Sequence, residues 1–484
     1  MQKSVTESKD LSIRDITNIN KVLIYFLRNA TLNIKLNFIY LLICGSIICD
    51  IKCKYRDGGN NLEKIVVKGG TPLIGEVQVS GAKNAALPIL AAGLLATEGT
   101  SKFYNVPKLS DIKTIGLLFE SLGVKVDYKP EENTLEMDAR KPLLTEASFE
   151  FVSKMRASFL VLGPMLAREG SAKVAMPGGC SIGSRPIDQH LKGFEALGAT
   201  IIQDAGFVEA RAEKELEGTT IFFDFPSVGG TQNVIMASCL AKGKTTIVNA
   251  AQEPEIEDMI NYLIKMGAKI EGKGTSVLVI EGVEKLVGTE YTVMPDRVEA
   301  ATYMIAAAAT KGDVLVKGAP YKDNVALVSK MREMGVNIEV VDETSMRVSN
   351  KLDSLRPVDV KTLPHPGFLT DMQSIMCVLT LLADGTSTIT ETVFENRFMH
   401  VEELRRMNAK IRIEGRSSLI EGLPHLEGTT VKATDLRSGA ALVIAGLMAT
   451  GTTKVIDIYH IDRGYVDIEE KMRKLGADIQ RIDE

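Results

Sequence analysis

The chain has 484 residues, of which 45% are hydrophobic and 25% charged, and its formal net charge is −5. A chain of this length exceeds what one hydrophobic core supports, so we expect at least two domains. The acidic balance argues against a general nucleic-acid binder, because such a protein needs a basic face that displaces counterions. The six cysteines form no CxxC pair and the histidines form no HExxH motif, so the sequence predicts no metal site and no cofactor. Widely spaced cysteines in a large chain suit a reducing, cytoplasmic compartment.

Residues 1–61 differ in composition from the rest of the chain and are rich in Asn, Ile, Lys and Leu. Residues 36–49 are uncharged and mostly apolar, but spanning a bilayer needs about 20 such residues, so no firm membrane association is expected. The segment also lacks the position and the small-residue end of a signal peptide. Three interpretations remain: a weak membrane-association segment, a disordered arm, or an upstream reading frame joined to the true start. We favour the last, because residues 62–67 read as a first strand.

From residue 62 onward, a helix-ending signal followed by a strand recurs six times, about every 70 residues. Each copy places Gly or Asn after an amphipathic helix, where a left-handed residue is expected to end the helix. The copies are LGVKV at 122, LGATI at 197, MGAKI at 266, MGVNI at 334, MNAKI at 407 and LGADI at 475.

A second marker runs in step with the first, since an Ala-, Leu- and Met-rich helix precedes Gly99, Gly170, Gly243, Gly312, Gly385 and Gly451. The helix around residues 235–241 is apolar on nearly all sides and is therefore predicted to be buried. Each unit then comprises a buried helix, a strand, a surface helix and further strands. Six such units predict an α/β protein with two domains of three repeats each.

Residues 177–186 read Pro-Gly-Gly-Cys-Ser-Ile-Gly-Ser-Arg-Pro, which sets Cys180 on a glycine-rich loop five residues before Arg185. Glycines allow a backbone to approach a ligand closely. A thiol in such a loop can donate a proton or act as a nucleophile, and the arginine supplies a fixed cation for a phosphate or carboxylate. We therefore interpret Cys180 as functional rather than as a buried cysteine in a turn.

Other cations recur at the junctions of the repeats. Lys83 and Asn84 follow a predicted strand at residues 76–80 and begin a helix, which is a natural anion site. Arginines in similar places suggest a shared cleft for a substrate with several anionic groups. They are Arg156, Arg185, Arg297, Arg397, Arg437 and Arg463.

Four aspartates are interleaved with these arginines: Asp296, Asp371, Asp435 and Asp462. Most are expected to be arginine partners or helix caps. Asp371 has no basic residue beside it in the sequence, so we interpret it as a free general base.

Read together, these motifs resemble the UDP-N-acetylglucosamine 1-carboxyvinyltransferases, enolpyruvyl transferases of the EPSP synthase-like superfamily. The resemblance covers residues 62–484. Its motifs are GAKNAALP, KMRAS, PGGCSIGSRPID, MPDR, PHPGFLTDMQ, FENRFMH, DLRSGAAL and IDRGY.

The resemblance implies a fold of two domains, each an inside-out α/β barrel of three repeats, with the substrates in the cleft between them. One domain would comprise residues 84–294 and the other residues 62–83 with 295–484. The implied reaction transfers the enolpyruvyl group of phosphoenolpyruvate to the 3′-hydroxyl of UDP-N-acetylglucosamine and releases phosphate, which is the first committed step of peptidoglycan synthesis.

The resemblance also assigns roles. Cys180 would donate the proton to carbon 3 or, as thiolate, attack carbon 2, and Asp371 would accept the proton of the sugar hydroxyl. Lys83, Arg185 and Arg463 would hold the phosphate, with Arg397 and Arg437 near the carboxylate. Asn84 would contact phosphoenolpyruvate. The nucleotide sugar would be contacted by Arg156, Arg185, Pro186, Ile187, Asp188, Gln189, Asp371 and Val393.

Three alternatives remain open at this point. The sister enzyme that acts on shikimate 3-phosphate shares the fold but lacks the cysteine loop. A non-catalytic UDP-sugar-binding paralogue would be expected to lose Lys83, Cys180 or Asp371. A membrane-anchored protein using residues 36–49 would be detected by cell fractionation.

Overall fold

The structure, a computed structural model, describes residues 63–147, 149–176, 183, 186–204 and 206–483. The predicted extension at residues 1–61, Cys180 and Arg185 therefore lie outside the described residues. Within the described part, helices and strands alternate along the chain. The fold is mixed α/β, as the sequence predicted.

The helices are α1 (Lys83–Ala92), α2 (Ser110–Ser121), α3 (Phe149–Lys154), α4 (Leu162–Glu169), α5 (Asp188–Ala196), α6 (Val228–Ser238), α7 (Pro254–Met266), α8 (Arg297–Ala309), α9 (Val325–Met334), α10 (Gln373–Thr380), α11 (Met399–Arg406), α12 (Leu436–Met448) and α13 (Ile468–Lys474). Short 3₁₀ helices lie at Gly93–Leu95, Pro130–Glu132, Arg156–Val161, Tyr321–Asp323, Thr370–Met372 and Ile458–Arg463. In the part of the chain that the structure describes, none of the helices has the length and hydrophobicity that a membrane crossing requires.

The strands are β1 (Lys64–Lys68), β2 (Ile74–Gln78), β3 (Ala96–Glu98), β4 (Ser101–Tyr104), β5 (Lys125–Lys129), β6 (Thr134–Asp138), β7 (Glu146–Ala147), β8 (Ser171–Ala175), β9 (Thr200–Asp204), β10 (Phe207–Arg211), β11 (Thr220–Phe222), β12 (Lys244–Val248), β13 (Lys269–Glu271), β14 (Val277–Glu281), β15 (Leu286–Val287), β16 (Glu290–Thr292), β17 (Asp313–Lys317), β18 (Asn337–Asp342), β19 (Ser345–Ser349), β20 (Asp359–Lys361), β21 (Thr386–Thr390), β22 (Lys410–Glu414), β23 (Ser417–Glu421), β24 (Thr430–Lys432), β25 (Thr452–Ile456) and β26 (Asp478–Ile482).

Among the described residues, these strands form six four-stranded sheets and one two-stranded sheet, β15-β3. Every four-stranded sheet has the same pattern: one edge strand pairs in parallel with its neighbour, and the other two pairings are antiparallel. In the sheet β11-β12-β14-β13, for example, β11 is parallel to β12, and β14 is antiparallel to both β12 and β13. The other sheets are β16-β4-β6-β5, β7-β8-β10-β9, β18-β19-β17-β2, β20-β21-β23-β22 and β24-β25-β1-β26.

The buried apolar side chains fall into two separate clusters, which we call the first core and the second core. The first core contains buried residues from Ala82 to Val293. The second core combines residues from Ile65 to Val79 with residues from Val298 to Ile479. Two cores are expected for a chain of this length, because a single hydrophobic core stops growing at about 250–300 residues.

Helices that are apolar on all sides lie inside these cores. All thirteen residues of α8 are buried, and α8, α10 and α12 pack against one another within the second core. The predicted burial of residues 235–241 is confirmed for the part in α6, whose residues from Gly230 to Ser238 are all buried. Strands also pack against these buried helices: α8 contacts β17, and α12 contacts β1 and β25.

The chain passes between the cores twice, and the two passages lie side by side. The amide of Ala82 donates to the carbonyl of Met294, and the amide of Asp296 donates to the carbonyl of Ser80, both at 2.8 Å. The two passages thus form a short backbone-paired connection rather than independent linkers.

The predicted left-handed helix ends are confirmed. Each residue at the marker positions has a positive φ, between 72° and 109°, which glycine adopts without a clash at Cβ. These residues are Gly123, Gly198, Gly267, Gly335, Asn408 and Gly476.

Candidate active site

Lys83 begins helix α1, as the sequence predicted, and only 8% of its surface is exposed. Burial lowers the pKa of its ammonium group, as do the neighbouring charges of Arg437 and Arg463, whereas Asp111 opposes this shift. The side chain therefore combines a buried positive charge with the positive end of a helix dipole, which is a favourable place for an anion.

Asp111 joins Lys83 to Arg463. The Lys83 Nζ lies 3.4 Å from Asp111 Oδ2, and Arg463 donates from Nε to Asp111 Oδ1 at 3.0 Å and from Nη2 to Oδ2 at 3.4 Å. Lys83 and Asp111 lie beside the first core, whereas Arg463 ends a 3₁₀ helix of the second core. Lys83 and Arg463, which the family resemblance assigned to the same phosphate, thus lie close together although they come from different cores.

A second cluster forms at the start of α10. Arg397 donates to Asp371 Oδ1 at 2.8 Å, and Arg437 donates to Asp371 Oδ2 from Nη2 at 3.1 Å and from Nε at 3.3 Å. The expectation that Asp371 is free of basic partners was wrong, because tertiary folding supplies two arginines that lie 26 and 66 residues away in sequence. Both carboxylate oxygens of Asp371 therefore accept charge-assisted hydrogen bonds from arginines.

The two arginines retain donors for a further anion. Arg397 and Arg437 are buried, with 5% and 2% of their surfaces exposed, and the Nη1 atom of each has no hydrogen-bond partner among the described residues. Burial by itself lowers the pKa of Arg437, but Tyr465, Asp371 and Asp296 outweigh it and raise the pKa above its ordinary value. Buried donors without partners are costly, so a carboxylate bound here would satisfy both groups.

The two clusters are close to each other, since the charges of Arg437 and Asp371 both act on the pKa of Lys83. Together they contain the positive charges of Lys83, Arg397, Arg437 and Arg463 and the negative charges of Asp111 and Asp371. This excess of positive charge lies where the two cores meet.

The remaining aspartates have the structural roles that the sequence predicted. Asp296 caps α8 by accepting from the amides of Val298 and Glu299. Asp435 caps α12 by accepting from the amides of Arg437 and Ser438. Asp462 is an arginine partner, but its partner is Arg481 rather than one of the site arginines; Arg481 Nη2 lies 2.6 Å from Asp462 Oδ1.

The candidate residues for the nucleotide sugar occupy different environments. Asn84, Pro186 and Asp188 are exposed, Ile187 and Arg156 are half-buried, and 37% of the surface of Val393 is exposed. Gln189 is buried, and its amide group exchanges hydrogen bonds with Asp224 at 3.0 Å in both directions.

One described residue of the cysteine loop, Gly183, lies against the second core. A Cβ placed on Gly183 would lie 3.1 Å from the backbone nitrogen of Glu395, so only glycine fits there with its φ of 135°. This contact places Gly183 beside Glu395, which lies between Val393 and Arg397 in the sequence.

Arg297 does not join the two clusters. It forms a buried bidentate pair with Glu255, with distances of 2.9 Å from Nε to Oε1 and 3.0 Å from Nη2 to Oε2, and its Nη1 lies 3.4 Å from His365 Nδ1. Glu255 is the second residue of α7 and Arg297 is the first residue of α8, so the pair connects these two helices.

The sequence reasoning missed Asp111 and Glu391. Asp111 stands in the first turn of a helix, where an acidic residue is expected merely for the helix dipole. Glu391 is 1% exposed and accepts hydrogen bonds from the hydroxyls of Thr362 and Thr370 and from the amides of Val393 and Phe394. Neither residue could be recognised from the sequence. The partners of Asp111 and the two threonines that contact Glu391 all lie at least 21 residues away along the chain.

Comparison with known proteins places this geometry in a family. A family model described as EPSP synthase (3-phosphoshikimate 1-carboxyvinyltransferase) matches residues 67–472. The chain therefore belongs to the class of 1-carboxyvinyltransferases, and the matched residues include parts of both cores.

Individual relatives narrow the class. The chain is 58% identical over 421 residues to UDP-N-acetylglucosamine 1-carboxyvinyltransferase 1 of Halalkalibacterium halodurans, an alignment that covers 87% of this chain and 95% of that protein. It is 58% identical over 420 residues to UDP-N-acetylglucosamine 1-carboxyvinyltransferase 2 of Staphylococcus saprophyticus, covering 87% and 99%. The chain belongs to the family of UDP-N-acetylglucosamine 1-carboxyvinyltransferases.

Solved structures agree with this assignment. The crystal structure of the enolpyruvyl transferase NikO from Streptomyces tendae superposes with a TM-score of 0.78 at 25% identity, covering 88% of this chain and all of that one. EPSP synthase from Acinetobacter baumannii superposes with a TM-score of 0.68 at 17% identity, covering 87% and 100%, which supports the fold alone.

Proposed function

We propose that the protein transfers the enolpyruvyl group of phosphoenolpyruvate to the 3′-hydroxyl of UDP-N-acetylglucosamine and releases phosphate, as the first committed step of peptidoglycan synthesis in the cytoplasm. The observation that carries the proposal is the pair of cationic clusters around Asp111 and Asp371. Phosphoenolpyruvate carries a phosphate and a carboxylate on one small carbon skeleton. Two adjacent groups of cations match those two anions; Lys83, Arg397 and Arg437 are buried, and Arg463 is half-buried.

The binding roles follow from the two clusters. Lys83, Arg185 and Arg463 bind the phosphate. Arg397 and Arg437 bind the carboxylate through the Nη1 atoms that lack partners. Asn84, the second residue of α1, is exposed beside Lys83 and contacts the same substrate.

In the addition step, Asp371 accepts the proton of the sugar 3′-hydroxyl, and the 3′-oxygen of the sugar bonds to carbon 2 of phosphoenolpyruvate. Carbon 3 gains a proton, which Cys180 donates as a thiol. The thiolate left by this transfer can bond to carbon 2 in place of the sugar hydroxyl and form a covalent adduct. In the elimination step, carbon 3 returns a proton to the Cys180 thiolate, and the double bond re-forms. The bond between carbon 2 and the phosphate oxygen breaks, and its electron pair leaves with the phosphate. The products are the enolpyruvyl sugar nucleotide and phosphate.

The sugar nucleotide binds along residues of both cores: Arg156, Arg185, Pro186, Ile187, Asp188, Gln189, Asp371 and Val393. Because Gln189 is held by Asp224, its backbone is better placed than its amide to contact this substrate. The contact between Gly183 and Glu395, two residues from Val393, supports binding of the sugar nucleotide by residues of both cores.

We also propose that each core is one domain, with residues 84–294 in one and residues 62–83 with 295–484 in the other, and that each is an inside-out barrel of three repeats. Six four-stranded sheets with one shared strand pattern support the repeats. The buried helices inside and the separate sheets outside support the inside-out arrangement.

The test is phosphate release from phosphoenolpyruvate, measured with UDP-N-acetylglucosamine, with shikimate 3-phosphate and with neither acceptor. We expect release only with the sugar nucleotide, and a product mass that corresponds to addition of one enolpyruvyl group. Release with shikimate 3-phosphate alone would assign the chain to the sister reaction. Tight binding of the sugar nucleotide without phosphate release would indicate a non-catalytic paralogue.

A further inference from the structure

Asp111 contacts both Lys83 and Arg463, the two described cations assigned to the phosphate. It is 5% exposed, and each of its oxygens is within 3.4 Å of a nitrogen of Lys83 or Arg463. A buried carboxylate at the centre of an anion-binding cluster repels the anion. Its presence there therefore requires a physical reason.

That reason lies in the position of Lys83. A buried ammonium group loses its proton easily, because low-dielectric surroundings disfavour the charged form. The positive charges of Arg437 and Arg463 lower the pKa of Lys83 further. Two carboxylates raise this pKa, and the effect of Asp111 is larger than that of Asp371. A lysine that lost its proton would contribute neither charge nor a full set of donors to a phosphate.

The second contribution of Asp111 is geometric. Lys83 is fixed at the start of α1 beside the first core, whereas Arg463 belongs to the 3₁₀ helix Ile458–Arg463 of the second core. Asp111 lies in the first turn of α2, which packs against that 3₁₀ helix. Its carboxylate spans the junction and holds one cation from each core at a common point.

We propose that Asp111 is a positioning residue that keeps Lys83 charged and holds Lys83 and Arg463 together as one phosphate-binding pair. Asp111 forms no bond to the reacting atoms. Its effect passes through the protonation of Lys83, so it sets the alkaline limit of the reaction. This inference rests on the proposed function, because it assigns the phosphate to this pair.

The first test compares the pH dependence of kcat/KM for phosphoenolpyruvate in the wild type and in Asp111→Asn. Without the carboxylate, Lys83 should lose its proton at lower pH, so the alkaline limb should move to lower pH by about one to three units, the range expected for loss of one opposite charge at this distance. Asp353→Asn removes a carboxylate whose partner is the exposed Lys311, and it should leave the profile in place. An unmoved limb in Asp111→Asn, or an equal loss at every pH, would overturn the inference.

Arginine at position 83 provides the second comparison, because its guanidinium does not lose its proton in this range. The substitution Asp111→Asn should shift the alkaline limb when position 83 is lysine and should not shift it in the Lys83→Arg background. An equal shift in both backgrounds would show that another group titrates.

A binding measurement separates this inference from the proposed function. Sulfate remains a dianion throughout the pH range, so calorimetric titration with sulfate reports the protonation of the protein and needs no turnover. Asp111→Asn should bind sulfate at least as well as the wild type at pH 6.5, and its affinity should fall at a lower pH. If the sulfate affinities of the wild type and of Asp111→Asn fall over the same pH range, the positioning role is overturned. If the affinity of Asp111→Asn falls at lower pH but the wild type releases no phosphate from phosphoenolpyruvate, only the proposed function is contradicted.

Discussion

The described thiols differ from Cys180 in their expected reactivity. Cys239 and Cys377 are fully buried, and burial raises the pKa of each thiol to about 12. Because the thiolate is the nucleophile, neither competes with an accessible cysteine near neutral pH. Cys180, on its glycine-rich loop, is the thiol that the sequence assigns to the chemistry.

The first prediction uses fosfomycin, a small phosphonate epoxide that resembles phosphoenolpyruvate. Its phosphonate should bind to the phosphate cations and leave the strained ring beside the Cys180 sulfur. We expect inactivation of the wild type, with a mass increment on the peptide that contains Cys180. The measurement is residual activity followed by peptide mass spectrometry.

The matched variant is Cys180→Asp, which retains a proton donor of lower pKa but no soft nucleophile. It should remain active with a pH optimum at lower pH and should resist the drug. Label on Cys239 or Cys377, or inactivation of the aspartate variant, would contradict the assignment.

Glu391 shows how one side chain can hold a whole segment. Its carboxylate accepts hydrogen bonds at 2.8–3.1 Å from two threonine hydroxyls and two backbone amides. One of the threonines, Thr370, precedes Asp371, and one of the amides belongs to Val393. The segment after β21 and the segment before α10 are therefore fixed by a common acceptor.

The second prediction is that Glu391→Ala lowers the free energy of unfolding by about 2–4 kcal/mol, because buried donors lose their partner. It should also raise KM for the sugar nucleotide more than KM for phosphoenolpyruvate, since Val393 is displaced. Urea denaturation and steady-state kinetics measure the two effects. The control Glu281→Ala alters the exposed Lys269–Glu281 pair and should leave both values nearly unchanged; equal behaviour of the two variants would refute the positioning of this segment by Glu391.

Helix α5 carries a buried histidine that the reaction does not use. Asn233 Nδ2 lies 2.9 Å from His190 Nδ1, and burial, assisted by the charge of Arg156, lowers the pKa of His190 to about 3. In the unfolded chain the pKa is about 6.5. Between these values the unfolded state binds a proton that the folded state does not bind.

The third prediction follows from that difference. As the pH falls from about 6.5 toward 3, the free energy of unfolding should decrease by up to about 1.4 kcal/mol per pH unit from His190 alone. His190→Gln, which can accept the same hydrogen bond from Asn233, should show a smaller slope, measured by denaturant unfolding at several pH values. His425 is exposed, so His425→Gln should retain the wild-type slope; an unchanged slope in His190→Gln would disprove the prediction.

Sequence reasoning succeeded where the cause is local. The left-handed ends at Gly123 and Asn408, the start of α1 at Lys83 and the caps of α8 and α12 depend on residues within a few positions of one another. It failed for Asp371 and could not find Asp111 or Glu391, because their partners come from segments up to 352 residues away. A tertiary ion pair leaves no periodic signal in a single sequence.

At the scale of the whole molecule, the family match and both cores lie after the first 61 residues. The fourth prediction is that a protein starting at Leu62 retains the kcat and KM of the full chain, because that extension contains no site motif and no repeat marker. Both proteins are compared in the phosphate-release assay. A soluble but inactive truncated protein would show that the extension contributes to function.

Strand β1 lies between β25 and β26, and β2 pairs with β17. Every strand of the first-core sheets, by contrast, lies within residues 96–292. During synthesis on the ribosome, the first core can therefore assemble while the rest of the chain is still being made. Strand β1 has to wait for β25 until residue 456 has emerged and for β26 until residue 482 has emerged. Translation thus imposes an order of assembly in which the first described strand is among the last to be paired, and both of its edges stay unpaired during most of elongation.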